Sequence, residues 1–235
     1  QQFSLNKSSF LENVLEPVAK VQDSFSLVLE NNTFKVMCEN PAFKMRVKGN
    51  IAYEGGEVKL HFADIKKFIR ALKFINDENP TFDFDNAKVV YKNSDGTKFV
   101  YHLIDGMTAK KASFNEEKVA SLKYDVEFLL EQHAIKQIIS AASISNIEEK
   151  KVYFYTENGK VFAEINDKAQ SKVDSVTLLV ADIFTGTSLP PTSIGFEIIR
   201  NLNGDDVKIK ASKHFFNFER IGDYHFTLIA NSYTK

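Results

Sequence analysis

The chain has 235 residues, 43% hydrophobic and 26% charged, and its 30 Lys and Arg against 31 Asp and Glu give a formal net charge of −1. This apolar content excludes a disordered chain, and the balanced charge excludes a uniformly basic nucleic-acid coat but leaves room for a basic patch. No apolar run approaches the roughly 20 residues that cross a bilayer, and the single cysteine, Cys38, can form no internal disulfide. We therefore expect a globular, intracellular protein, not secreted and with no membrane partner, long enough for one large or two small domains.

In the first half, short alternating apolar segments predict mainly strands. A strand over Phe3–Leu5 precedes a helix that begins at Ser9, where Ser9 and Glu12 form a capping box. Pro17 is expected to kink or end this helix, and a second helix is predicted over Asp64–Ile75. The other predicted strands are Ser24–Glu30, Thr33–Glu39, Phe43–Asn50, Val58–Phe62, Thr81–Asp85, Lys88–Tyr91 and Lys98–Ile104.

In the second half, a strand over Val119–Val126 is followed by a third helix over Glu127–Ala142. The dipeptide Asn158-Gly159 between two alternating segments predicts a type I′ hairpin. A fourth helix is predicted over Ile194–Leu202, after a helix-start signal that contains two prolines. The other predicted strands are Lys151–Glu157, Lys160–Asn166, Ser175–Ala181, Asp206–Ala211, Phe215–Arg220 and Tyr224–Ala230.

The two halves repeat one order of elements: strand, helix, hairpin, strand, helix and closing strands. Within this order, Val58–Ile65 aligns with Val176–Ile183 at an offset of about half the chain, because both segments end in Ala-Asp-Ile. We therefore predict an α+β fold of two similar domains, residues 1–108 and 119–235. A polar linker over residues 109–118 is expected to join them.

Residues that could carry catalytic or metal chemistry are not clustered in the sequence. The five histidines lie far apart without metal-ligand spacing, and Cys38 has no partner. No nucleophile elbow, dinucleotide-binding glycine motif or Walker loop is present. We therefore expect no metal, no cofactor and no catalytic residue, and we favour a binding or scaffolding role over an enzyme.

The second predicted helix concentrates positive charge on one side. At about 100° per residue, its apolar residues form one stripe and its four cations lie together on the remaining surface without an anion. In a chain of net charge −1, this surface is a candidate for facing phosphates, and an ordinary solvated helix face is the alternative. Because no aromatic side chain interleaves with the cations, we expect contacts to the nucleic-acid backbone without sequence reading. The cations are Lys66, Lys67, Arg70 and Lys73, and the third and fourth helices add Lys136 and Arg200.

This order of elements, with a lysine-rich helix face on a neutral chain, resembles DNA polymerase sliding clamps. The opening segment, Phe3 to Lys20, is similar to the first helix of bacterial clamps, and residues 63–76 resemble the second helix of T4-type phage clamps. Residues 122–130, the Asn158-Gly159 hairpin and the last hairpin resemble the second half of the phage proteins. The resemblance covers nearly the whole chain as a pattern of elements and apolar positions.

The resemblance implies a processivity factor for DNA replication. Bacterial clamps have three domains per chain, whereas clamps of the proliferating-cell-nuclear-antigen (PCNA) and T4 types have two and close as trimers. Two domains here imply a homotrimeric ring that encircles double-stranded DNA without sequence preference and tethers the replicative DNA polymerase. An ATP-dependent clamp loader would open the ring. A phage-encoded chain would be a viral protein in the host cytoplasm.

The resemblance also assigns expected roles to particular residues. The helices would line the hole, so the six cations above would contact DNA. Strands near 98–104 of one subunit and 175–181 of the next would pair across the subunit interface. A hydrophobic partner peptide would bind beside the linker and the C-terminal region. The interface candidates are Val100, His102, Val176 and Leu178, and the partner-binding candidates are Phe114 and Tyr233.

Two alternatives to an encircling clamp remain open at this point. A monomeric or dimeric processivity factor of the same fold would hold DNA by charge alone and would bind linear DNA with a steep salt dependence. A strand-rich virion structural protein would show no dependence on DNA, and the cations of the second helix would then serve solubility.

Overall fold

The computed structural model describes residues 1–144, 150–166, 174–202 and 205–234. The chain divides into two compact units, Gln1–Phe114 with Ile221–Phe226, and Asn115–Arg220 with Thr227–Lys235. Both units combine helices with antiparallel sheets, so the predicted α+β class is confirmed. Within the described residues, no helix has the length and apolar character needed to cross a membrane.

The first unit contains two sheets and two helical segments. One sheet has the strand order β1-β6-β7-β8 and the other contains β4-β3-β2-β5. The helical elements are α1 (Lys7–Phe10), a π-helical turn (Leu11–Leu15), α2 (Glu16–Ala19) and α3 (Ile65–Phe74). The strands are β1 (Gln2–Ser4), β2 (Phe25–Glu30), β3 (Thr33–Glu39), β4 (Phe43–Asn50), β5 (Val58–Phe62), β6 (Thr81–Phe84), β7 (Lys88–Lys92) and β8 (Lys98–His102).

The second unit repeats this plan with additional short strands. One sheet has the order β12-β11-β10-β14-β18 and the other contains β13-β9-β15-β16-β17. Its helices are α4 (Glu116–Ser121), α5 (Gln132–Ala142) and α6 (Phe196–Asn201). The strands are β9 (Val126–Leu130), β10 (Lys151–Glu157), β11 (Lys160–Asn166), β12 (Val176–Ala181), β13 (Thr185–Gly186), β14 (Thr192–Gly195), β15 (Val207–Ala211), β16 (Phe215–Ile221), β17 (His225–Asn231) and β18 (Tyr233–Thr234).

Two tight hairpins form, one of them at the predicted Asn158-Gly159 turn, and their turn residues adopt the left-handed backbone that a type I′ turn requires. Asn158 and Gly159 have φ values of 52° and 76° between β10 and β11, where Glu157 pairs with Lys160. Asn31 and Asn32 have φ values of 42° and 63° between β2 and β3. Because asparagine and glycine tolerate this conformation better than other residues, the turn sequence fixes the register of each hairpin.

The first helical segment begins earlier than predicted. Its N-cap is Asn6, whose side chain accepts a hydrogen bond from the Ser9 backbone N–H at 2.9 Å, so the predicted cap at Ser9 is wrong. The helix also continues through Pro17 to Ala19. A π-helical turn directly precedes the proline-containing turn, and its wider winding relieves the clash that a proline ring makes with the preceding turn.

The internal repeat exists, but the alignment through Ala-Asp-Ile is wrong. In the first unit, β5 pairs with the outer side of the hairpin strand β2, and α3 follows. In the second unit, β14 takes the same place beside β10 and leads into α6, whereas β12 corresponds to β4 at the other end of the sheet. The shared tripeptide therefore marks two positions that are not equivalent in the fold.

The start of the second unit is also placed differently from the prediction. Residues 116–121 form α4, capped by the Asn115 side chain, where a strand was expected from Val119. The strand β9 begins seven residues later than the predicted strand, because Phe128 and Leu130 are buried and alternate with more exposed residues while β9 pairs with β15. The third helix consequently begins at Gln132 and not at Glu127. The fourth begins at Phe196, because residues 192–195 form β14.

An aromatic cluster lies beneath α3 in the first unit. Phe68, which is 1% exposed, lies 4.6 Å from Phe62 between ring centroids, and Phe62 stacks on Phe25 at 4.4 Å. Phe82 and Tyr101 complete the cluster at 6.2 and 5.7 Å from Phe68. Because aromatic side chains bury large apolar areas, this cluster holds one side of α3 against the sheets and leaves the other side in solvent.

Candidate nucleic-acid interface

The helix α3 begins at a cap that two side chains hold in place. Asp64 is the N-cap, and its carboxylate accepts a hydrogen bond from the Lys67 backbone N–H at 2.9 Å. The Tyr101 hydroxyl accepts from the Asp64 N–H at 2.8 Å and donates to the Asp64 carbonyl at 3.0 Å. Burial raises the pKa of Tyr101 above its usual value, so the hydroxyl keeps the proton that it donates. The start of α3 is therefore fixed to β8.

The cations of α3 are exposed, as the helical pattern predicted. Lys66, Lys67 and Arg70 lie in solvent, and none of them forms an ion pair with a described residue. The Lys67 ammonium lies 5.8 Å from the centroid of the Tyr101 ring. The fourth cation is different, because the Lys73 ammonium lies 3.0 Å from the Glu16 carboxylate. The helix thus presents three cations without a carboxylate partner and one that a carboxylate already neutralises.

The helices of the second unit are less basic. Lys136 on α5 is exposed and has no carboxylate partner in the described part of the chain. Arg200 on α6 is also exposed, but its guanidinium lies 3.2 Å from Glu197 one turn earlier. Exposed ion pairs of this kind contribute little stability and can exchange partners, so Arg200 remains able to meet an anion.

Phe74 is the residue on this surface that the sequence pattern missed. Its side chain is 70% exposed, and on the helical wheel it lies about 180° from Ile65, between Arg70 and Lys67. The expectation that no aromatic side chain interleaves with the cations is therefore wrong. The available signal was its spacing, because Phe74 follows Arg70 by four residues and so shares its side of the helix.

The four interface candidates lie on edge strands, the outermost strands of their sheets. The strand β8, with Val100 and His102, ends the sheet β1-β6-β7-β8, and β12, with Val176 and Leu178, ends the sheet of the second unit. His102 is exposed and the three apolar residues are half-buried. A sheet end presents unpaired backbone N–H and C=O groups that another strand can pair with. The two strands are therefore able to accept a further strand.

The two partner-binding candidates have different surroundings. Phe114 is half-buried in the first unit, and the guanidinium carbon of Arg46 lies 5.0 Å from the centroid of its ring. Tyr233 lies in β18 of the second unit with a side chain 64% exposed, while its carbonyl accepts a hydrogen bond from Ser193. Of the two rings, Tyr233 offers the larger accessible surface.

The described part of the chain contains no group of three or more His, Cys, Asp or Glu side chains arranged to hold a metal ion. Cys38 is buried, and burial raises the pKa of its thiol to about 12. The thiol is therefore protonated near neutral pH and is a poor nucleophile.

No protein-family model matches the sequence, and the comparison with curated proteins gives no match. Solved structures do match. PCNA from A. fulgidus, with the C-terminal region of FEN-1 bound, has a TM-score of 0.79 and 13% identity, covering 100% of this chain and 98% of that one. PCNA from Entamoeba histolytica has a TM-score of 0.75 and 13% identity, covering 99% and 98%.

A putative DNA polymerase III beta subunit from Eubacterium rectale also matches, with a TM-score of 0.75 and 14% identity. The match covers 99% of this chain but 65% of the bacterial one. At these identities the likeness shows the fold. The chain therefore has the fold of sliding clamps, as the resemblance in the sequence implied, and its length is that of the PCNA chains. Assignment to the T4-type branch stays a prediction.

Proposed function

We propose that this chain is the subunit of a sliding clamp that encircles double-stranded DNA and tethers a DNA polymerase for processive synthesis. The observation that carries the proposal is the clamp fold, which extends over the whole chain and matches PCNA chains from end to end. The exposed cations of α3, in a chain of net charge −1, support it independently. In this role the chain acts as a topological tether without catalysing a reaction.

The mechanism requires weak electrostatic contacts that carry no sequence information. Cations aimed at phosphates attract any duplex, because the charge of the DNA backbone is the same for every sequence. A ring that cannot dissociate without opening needs few such contacts, and few contacts allow it to slide. We assign this role to Lys66, Lys67 and Arg70 first, with Lys73, Lys136 and Arg200 as weaker contributors.

We further propose that three copies close the ring by pairing strand edges. The strand β8 of one copy would add to β12 of the next, which would place Val100 and His102 against Val176 and Leu178. The position of both strands at sheet ends supports this arrangement. Ring closure would also cover edges that otherwise invite uncontrolled association.

Partners and source are proposed on narrower grounds. The A. fulgidus clamp was solved with the C-terminal region of FEN-1 bound, so a peptide segment of a DNA-processing partner is a reasonable ligand here. We propose that Tyr233 and Phe114 contribute to such binding, that a polymerase is among the partners, and that a separate ATP-dependent loader opens the ring. A phage origin, and with it a location in the host cytoplasm, belongs to the same proposal.

The proposed function is tested by reversing the charge of α3. In the triple variant Lys66→Glu, Arg70→Glu and Lys73→Glu, we expect the oligomer to persist and polymerase stimulation on a primed circular template to disappear, because like charges repel the duplex. A matched control carries the same charge change at exposed sites elsewhere, Lys118→Glu, Lys160→Glu and Lys213→Glu, and should keep stimulation. Equal stimulation by both variants would remove α3 from the DNA path.

A non-encircling processivity factor gives a different result with the unmodified protein. Such a factor would bind linear and circular duplexes alike, with affinity that falls steeply as salt rises. A closed clamp instead slides off the ends of a linear duplex and remains on a circular duplex. Retention on circular but not linearised DNA at moderate salt therefore distinguishes the two.

A further inference from the structure

An aromatic ring projects into solvent from the cationic side of α3. Phe74 is 70% exposed, whereas Ile65, Phe68 and Leu72 on the same helix are at most 1% exposed. Among the described residues, many rings of the first unit pair with one another, but Phe74 takes part in none of these pairs. Covering such an exposed apolar side chain removes its surface from water and so lowers the free energy of the system.

The surroundings of Phe74 are positively charged. Arg70 lies one turn before it and Lys67 two turns before it on the same side of the helix, since residues four and seven apart share a face. Two acidic side chains at α3 and the neighbouring α2 are already engaged, because Asp64 caps α3 and Glu16 pairs with Lys73. A ligand for this surface therefore combines negative charge with a flat apolar face.

We propose that α3 binds single-stranded nucleic acid, with one unpaired base stacked on Phe74 and the flanking phosphates on Arg70 and Lys67. An aromatic ring beside cations is the arrangement that binds single strands without sequence preference, because every base has a π-face. In a duplex the bases are stacked on each other and only phosphates and groove edges are accessible. The inference rests on the proposed function in that α3 faces nucleic acid, and it adds a preference for the unpaired strand beside a duplex.

The test measures affinity for a single-stranded oligo-dT and for a duplex of equal length, with the full-length protein. For Phe74→Ala we expect the single strand to bind between about fivefold and a hundredfold more weakly, as loss of one stacked base implies, and the duplex to bind unchanged. Phe74→Tyr should bind the single strand like the parent, because it keeps an aromatic face. Phe74→Leu should resemble Phe74→Ala, because it keeps apolar volume but cannot stack.

The salt dependence of binding distinguishes the contribution of the Phe74 side chain from the contribution of the cations beside it. Phe74→Ala should leave the slope of log affinity against log salt unchanged, because it removes no phosphate contact. Arg70→Ala should reduce the slope by about one unit. A Phe74→Ala variant with the parent's single-strand affinity overturns the inference. So does an equal loss on duplex, which would make Phe74 a duplex contact, or a change in oligomer mass, which would make it a subunit contact.

The two proposals can fail separately. If the parent stimulates polymerase on a primed circle but Phe74→Ala binds single strands normally, only the stacking inference fails. If the charge-reversal variant of α3 still stimulates polymerase as the control variant does, the assignment of α3 to the DNA path fails, whatever Phe74→Ala does to single-strand binding. Thermal unfolding of each variant confirms that the comparison is made on folded protein.

Discussion

Two phenylalanines on α3 differ in environment and should differ accordingly when they are truncated. Phe68 is 1% exposed and contacts the aromatic cluster, so Phe68→Ala should lower the free energy of unfolding by about 3–5 kcal/mol. Phe74→Ala removes an exposed ring and should change it by no more than about 0.5 kcal/mol. Urea denaturation of both variants measures the difference. A large loss from Phe74→Ala would mean that its ring packs against protein.

The sequence predicted that the cations of α3 are exposed, but not which of them forms an ion pair. Helical periodicity places Lys66, Arg70 and Lys73 outside the core, and it is a local property that any single helix reveals. The ion pair between Lys73 and Glu16 joins residues from two different helical segments, so it depends on the tertiary packing of those helices. The place of Phe74 on the cationic side follows from the same periodicity, since it lies four residues after Arg70, but the 70% exposure of its ring depends on what packs near α3 in the folded chain.

His61 should make the stability of the first unit depend on pH. Its Nδ1 lies 2.6 Å from the Ser26 hydroxyl, and burial, with the nearby Lys59 charge, lowers its pKa below the usual value despite the opposing effect of Asp105. As pH falls below about 6.5, the unfolded chain takes up a proton before the folded one does. Stability from the neutral imidazole is therefore present above that pH and is lost as pH falls through the folded pKa.

The measurement compares urea denaturation at several pH values for the parent and for His61→Gln, whose side chain stays neutral. We expect the parent to lose more stability than the variant between about pH 7 and pH 5. Identical pH profiles would show that His61 titrates alike in both states.

Elements with strong local signals were predicted well, and those defined by their neighbours were not. The strands Thr33–Glu39, Phe43–Asn50 and Val58–Phe62 have the predicted bounds, because alternation and turn residues specify them locally. β14 follows two prolines that also favour a helix start, and it becomes a strand because it pairs with β10. Residues 126–130 satisfy both a strand and a helix pattern until their pairing with β15 decides.

The equivalence of strands in the internal repeat is likewise defined by neighbouring strands and not by local sequence. The order of elements indicated two similar halves, because that order depends on many residues. The match through Ala-Asp-Ile makes β5 and β12 equivalent positions of the repeat, whereas the hydrogen-bonded order of the sheets makes β5 equivalent to β14. Equivalence between repeated units is a property of strand neighbours, which a short sequence match does not report.

At the scale of the whole molecule, the proposed assembly predicts a definite mass. Three chains of 26.7 kDa give about 80 kDa by light scattering. Leu178→Asp on β12 should shift this mass towards one chain, because a buried unpaired charge at a strand contact is costly. Ile183→Asp, at a site 80% exposed just beyond that strand, makes the same chemical change and should leave the mass unaltered. A folded Leu178→Asp protein that keeps the parent mass would place the subunit contact elsewhere.

The two sheet ends that we propose to join, β8 and β12, belong to different sheets and have different sequences. Contacts between unlike edges repeat head to tail and close with a single rotation axis, which has no perpendicular two-fold to exchange its ends. An assembly built in this way has a front and a back. A protein bound to one of those sides would always have the same orientation along the DNA axis. The pairing of two dissimilar strands would therefore make the assembly polar with respect to the DNA.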